Sequence, residues 1–159
     1  MNLNIPRFIL RIADPLRRVY WKVLKPKTYG VKGLIFSPTD SNKIMLIRNS
    51  YGDTEKYTLP GGGYKPQSED PATALRREIK EELGIDLGEV NLLGKLTTTR
   101  EGKRDNLILL CATSLSMHIR QGNEVKEALW IDRSLKLLHP NKKISIFVEK
   151  ALRLYDTKK

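Results

Sequence analysis

The sequence predicts an α/β domain, a mixed sheet with packed helices, and three observations carry that reading. A capped amphipathic helix fits residues 71–83, six strand-like segments flank it, and a second amphipathic helix lies near the end of the chain. At 159 residues there is room for one sizeable core and little for a second.

Taken in order, residues 1–26 read as a basic amphipathic helical extension and 27–159 as the main domain. Ile5, Phe8, Ile9, Ile12, Leu16, Val19, Tyr20 and Val23 recur at helical spacing, with Arg7, Arg11, Arg18, Lys22 and Lys25 as a cationic stripe beside them. Asp14-Pro15 interrupts the pattern as an N-cap and first-turn proline. This predicts a short helix, a kink and a second helix ending near Lys25-Pro26. Residues 1–32 hold eight Lys or Arg against Asp14 alone, so they supply seven of the eleven net positive charges. The arginines break up any signal-peptide core, and no small-residue cleavage site follows. Three readings stay open for this segment: a helix packed on its own domain or on a partner subunit, as in a homodimer; a helix of residues 1–25 lying on an anionic membrane; and a nucleic-acid contact.

Strands are expected at Tyr29 to Phe36 and Lys43 to Arg48, around the turn Ser37-Pro38-Thr39-Asp40, then at Tyr57 to Leu59. Further strands fit Val90 to Thr99, Asn106 to Ser116 and Glu127 to Ile131, the second apolar enough for a central position. Asp132 or Ser134 is placed to cap a helical turn through Leu138, stopped at His139-Pro140. Ile144, Phe147, Val148, Ala151, Leu152 and Tyr155 form the apolar face of the last helix. The single cysteine, Cys111, sits in the apolar run 107–112 and reads as a buried, inert thiol. One cysteine allows no internal disulfide, and no apolar run approaches the roughly 20 residues that span a bilayer. A cytoplasmic protein is expected, peripheral at the membrane inner surface if the basic helix binds lipid.

The chemistry concentrates in the helix at 71–83. Asp70-Pro71 marks its start, Gly84 its end, and Ala72, Leu75, Ile79 and Leu83 its core-facing stripe. Glu78, Glu81 and Glu82 then stand at i, i+3 and i+4, projecting from one face. Like charges so spaced repel by a few tenths of a kcal/mol per pair. A hard divalent cation taking oxygen ligands is the natural offset. Upstream, Leu59-Pro60-Gly61-Gly62-Gly63-Tyr64 is a glycine-rich turn whose backbone groups at Gly61, Gly62 and Gly63 can be aimed at a substrate.

Gly63, five residues, Glu69, seven residues, Arg77-Glu78-Ile79, one residue, Glu81-Glu82, one residue, Gly84-Ile85: at every constrained position this spacing resembles the Nudix box. The resemblance covers the box alone. It implies an α/β/α sandwich and hydrolysis of a phosphoanhydride in a nucleoside diphosphate linked to another moiety, with two or more magnesium or manganese ions. It also implies Glu78 and Glu82 as metal ligands, Glu81 as ligand or catalytic helper, the Gly62 carbonyl as a further ligand, and Glu69–Arg77 as a bracing ion pair. Metals on a diphosphate need additional ligands and a base. Glu124, six residues before Trp130 in a loop entering a strand, stands where the resemblance implies a further acidic residue and is the candidate for both; Arg48, at a strand end, is a candidate for a substrate phosphate. The alternative is a Nudix-fold binding or membrane-associated module without turnover, and the intact box glutamates argue against it. Subfamily marks fall at Arg100, Glu101 and Gly102, where neither the proline of ADP-ribose hydrolases nor the tyrosine of diadenosine polyphosphate hydrolases stands. A small nucleotide or nucleotide-linked diphosphate is the expected substrate.

Overall fold

The computed structural model describes residues 27–99, 104–136 and 143–158. The predicted N-terminal helices, the positions Arg100 to Gly102 and the His139-Pro140 stop lie outside them. Strands β1 (Lys27–Phe36), β2 (Lys43–Asn49), β4 (Leu87–Thr98), β5 (Arg104–Ser114) and β6 (Val125–Asp132) make one sheet in the order β4-β5-β1-β2-β6. Among the described residues of this sheet, β1 and β5 run parallel and the other neighbours antiparallel, so the sheet is mixed. A second, two-stranded sheet pairs β3 (Lys56–Tyr57) with β7 (Lys143–Ile144).

Alternation sets the two faces. On β2, Met45 and Ile47 turn to one core cluster and Ile44 and Leu46 to the other. The first cluster is closed by Leu75, Ile79 and Leu83 of α1 (Pro71–Leu83), and the second by Val148 and Ala151 of α2 (Ile146–Asp156). Among the described residues the sheet carries one helix on each face, the α/β/α sandwich that the Nudix resemblance implies. Ile79 is wholly buried beneath the sheet. Its truncation to Ala is expected to lower unfolding stability by about 2–5 kcal/mol, seen as an earlier denaturant midpoint.

Local signals predicted α1 well. Asp70 accepts hydrogen bonds from the Ala72 and Thr73 amides, Pro71 opens the helix, and Gly84 ends it at φ 69° with its N–H on the Lys80 carbonyl. The buried stripe includes Ala74 rather than Ala72. Two other expectations shift. Ile144 belongs to β7, and α2 starts only after Ser145, whose side chain accepts the Phe147 amide. Residues 133–136 form a turn in which Asp132 caps the Ser134 amide, and Leu135 at φ 61° takes the chain out of helical geometry. Cys111 is half-buried on β5, and burial pushes its thiol pKa up, as for a cysteine that packs rather than reacts.

One departure from a regular sheet creates the site. β1 and β2 meet at Phe36–Ile44 and then part, and residues 58–64 fill the opening. Thr58 exchanges both backbone hydrogen bonds with Ile47 of β2. On the other side, the Pro60 and Gly62 carbonyls accept from Gly33 and Val31 of β1, and the Tyr64 amide donates to Tyr29. The glycine turn is thus held within the sheet, directly against α1.

Candidate active site

At Gly61 the backbone runs at φ 119°, and a Cβ there would come within 2.5 Å of the Val31 carbonyl oxygen. That glycine-only geometry turns the Gly61 amide toward α1, where it donates to Glu82 Oε2 at 2.8 Å. Its carbonyl accepts Lys32 Nζ at 2.5 Å. The next residue makes a closer approach still: the Glu78 carboxylate occupies the space a Gly62 Cβ would need.

The three helix glutamates therefore differ. Glu78 and Glu82, one turn apart, share the side of α1 that meets the loop; Glu82 is buried to 9% exposure, whereas the Glu81 side chain is 53% exposed. Burial is the main reason the Glu82 pKa is raised to about 7; the Lys32 charge and the Gly61 amide oppose the rise, and Glu78 and Glu124 add to it. Glu78 is also raised, by burial first, with the Arg77 hydrogen bond and charge opposing.

Arg77 braces the arrangement from outside. Its Nη2 donates to Glu69 Oε1 at 3.0 Å and to the Gly63 carbonyl at 3.1 Å, and its Nη1 donates to Glu78 Oε1 at 2.7 Å. The hydrogen bond to Glu69 is the main reason the Arg77 pKa rises, and the same bond holds Glu69 below the usual carboxylate range. The expected Glu69–Arg77 pair thus joins loop to helix.

A cavity of about 440 Å³ lined by Lys32, Gly61, Gly62, Gly63, Glu78, Glu81, Glu82 and Glu124 brings most of the sequence candidates together. Glu124 reaches it because the Ser50 amide donates to its carbonyl, and Tyr51 Oη donates to its Oε2 at 2.6 Å. The Gly62 carbonyl, expected to be a ligand, accepts the Val31 amide at 3.0 Å, and the Gly61 carbonyl accepts the Lys32 ammonium. Arg48 does not join the glutamates. It faces Glu127 across the β2–β6 ladder, donates to its Oε2 at 2.8 Å and lies over the Tyr57 ring, so its guanidinium is part of a structural pair.

Among the described residues, no three acidic, histidine or cysteine side chains stand close enough together to enclose an ion as they are. The donor set nevertheless fits a hard divalent cation. It is all oxygen, the glycine at 62 leaves room for the Glu78 carboxylate, and a cation, the Lys32 ammonium, already stands by buried Glu82 and partly buried Glu78.

The family model described as "NUDIX domain" matches residues 27–146. The chain belongs to the Nudix family. Three solved structures are similar to this Nudix domain. A MutT Nudix hydrolase from Burkholderia pseudomallei has TM-score 0.68 and 23% identity, over 80% of this chain and 97% of that one. The MutT protein from Methanosarcina mazei Go1 has TM-score 0.66 and 22% identity, over 85% and 97%. A Nudix hydrolase from Nitrosomonas europaea has TM-score 0.68 and 18% identity, over 84% and 90%. At such identities the likeness shows the fold. No curated protein sequence matches significantly. The family implies hydrolysis of pyrophosphate bonds, and among the described residues no helix is long and apolar enough to cross a membrane.

Lys32 and Tyr51, which also line the glutamate cavity, escaped sequence reasoning. Lys32 had a visible signal, a lone charge within the strand-like run 29–36. Tyr51 had none, since only the folded loop brings its hydroxyl to Glu124.

Proposed function

We propose that the chain is a magnesium- or manganese-dependent pyrophosphohydrolase acting on a small nucleotide or nucleotide-linked diphosphate. The observation that carries this reading is the burial of Glu82 beside Glu78, both with raised pKa values, at the glycine turn of a Nudix box. Keeping two carboxylates in such a place is unfavourable for folding and useful for holding a cation.

Glu78, Glu81, Glu82 and Glu124 are the residues that would hold the metal. A bound divalent ion supplies charge neutralisation on phosphoryl oxygens and lowers the pKa of a coordinated water. The protein's own part is positioning, which phosphoryl transfer chiefly requires. Arg77 fixes Glu78 through Nη1, the Gly61 amide fixes Glu82, and Tyr51 ties down one oxygen of Glu124. Whichever of Glu124 and Glu81 is left free of the metal accepts the proton of the attacking water or orients it. Gly61, Gly62 and Gly63 also line an adjoining cavity of about 480 Å³ with Tyr29, Leu107 and Phe147, a mixed polar and apolar space suited to the rest of the substrate.

Phosphate and nucleotide release from nucleoside triphosphates, ADP-ribose, nucleotide sugars, dinucleoside polyphosphates and triphosphorylated RNA tests this, with each metal. Metal-dependent cleavage of one class supports it. Silence across the panel from folded protein counts against it and favours a binding module.

A further inference from the structure

We propose that Lys32 is a substrate-binding residue whose ammonium grips the diphosphate where the glutamate cavity meets its larger neighbour, a role that rests on the function proposed above. The residue belongs to both spaces: it lines the 440 Å³ cavity with Glu78 and Glu82 and the 480 Å³ cavity with Leu107 and Phe147. A substrate with its diphosphate at the glutamates and its remaining moiety next door has to pass this ammonium.

The local fold explains how a lysine comes to stand there. Alternation puts Lys32 on the face of β1 shared by Leu34 and Phe36, whose cluster is closed by α2. Farther along that face is Gly30, where a Cβ would come within 2.9 Å of Leu107 and 3.2 Å of the Gly62 carbonyl oxygen, so the strand is bare beside the lysine. Glu82 reaches the Gly61 peptide through its N–H and Lys32 through its C=O.

Charge then gives Lys32 a direction. With the glutamates alone, the ammonium favours their ionised forms. A divalent ion taken up by the same carboxylates would outcompete a monovalent ammonium for them and repel it. The strongest anion within reach is then the diphosphate itself, for which lysine is a compact point-charge partner.

Methylenediphosphonate, whose carbon bridge cannot be hydrolysed, is titrated calorimetrically into wild type, Lys32→Met and Lys32→Arg, with and without magnesium. In magnesium, Lys32→Met is expected to weaken binding by about ten- to a hundredfold, as for one lost charge-assisted hydrogen bond, while Lys32→Arg keeps most of the affinity. Equal affinity of Lys32→Met and wild type overturns the role, as does a loss in Lys32→Arg equal to that in Lys32→Met, or no binding by wild type. Turnover separates this from the function proposed above. An active wild type matched by Lys32→Met in KM and kcat sinks the lysine alone; an inactive wild type whose diphosphonate affinity still needs Lys32 supports the lysine and sinks the hydrolase.

Discussion

Glu82→Gln is expected to cut turnover by roughly a hundred- to ten-thousandfold and, in metal-free buffer above neutral pH, to make the protein more stable. The loss of activity follows from removing a charge at the centre of the proposed metal site while keeping its shape. The gain in stability follows from the Glu82 carboxyl's burial, which lifts its pKa from 4.5 to about 7. Between those values the folded chain retains a proton that the unfolded chain has released, so stability falls as pH rises through this window. Below about 4.5 both states are protonated, and above about 7 both are ionised, so the penalty then stays constant. Its full size is about 3 kcal/mol, and a neutral glutamine does not incur it.

The measurement is urea unfolding of both proteins in chelator from about pH 5 to about pH 8. The wild-type midpoint should fall relative to that of Glu82→Gln as pH rises; curves that stay parallel would show that Glu82 titrates like an ordinary carboxyl. Magnesium adds a second arm. A cation that binds the ionised carboxylate stabilises the state that is otherwise penalised, so it should raise the wild-type midpoint more than the variant's, most of all at the alkaline end. A protein that gains stability by losing its activity has kept Glu82 for function.

What could be read from the chain alone followed the range of the interactions involved. The α1 helix depends on neighbours within a turn or two, on Asp70, Pro71 and Gly84 at its ends and an apolar stripe between, so its limits and its glutamates were legible. The resemblance to the Nudix box also implied that Glu69 pairs with Arg77, and the two, eight residues apart, are hydrogen-bonded. Arg48 and Glu127 are 79 residues apart, and the β2–β6 register that makes them neighbours is carried by no local signal. Arg48 therefore read as an open strand end when it is already paired. The same limit hid the insertion of residues 58–64 between β1 and β2, which turns a permissive glycine run into a fixed set of donors and acceptors. Glu124 was a candidate because related Nudix enzymes often carry an acidic residue at that place before a strand; its hydrogen bond from Tyr51 was beyond reach.

That insertion yields the second large effect. Gly61→Ala is expected to destabilise the protein by about 2–4 kcal/mol and to lower activity with it, since two penalties coincide. The backbone at φ 119° is strained for any L side chain, and the new methyl would press on the Val31 carbonyl oxygen and the Lys32 Cα, backbone atoms of the central strand that cannot swing aside as a side chain can. Relief requires the Gly61 peptide to turn, and turning breaks its hydrogen bonds to Glu82 and Lys32 together. Two controls separate these penalties. Gly52→Ala has a positive φ of 75° but meets nothing within 4 Å, so it should show only the backbone cost, about 1 kcal/mol. Gly63→Ala has neither a positive φ nor a neighbour, so its stability should stay within about 0.5 kcal/mol of wild type. Because Gly63 also lines both cavities, any activity lost in that stable variant would report the approach of substrate to the loop. If Gly61→Ala unfolded at the same denaturant concentration as Gly63→Ala, the glycine turn would not be pinned in the sheet, and the aim of Glu82 would need another cause.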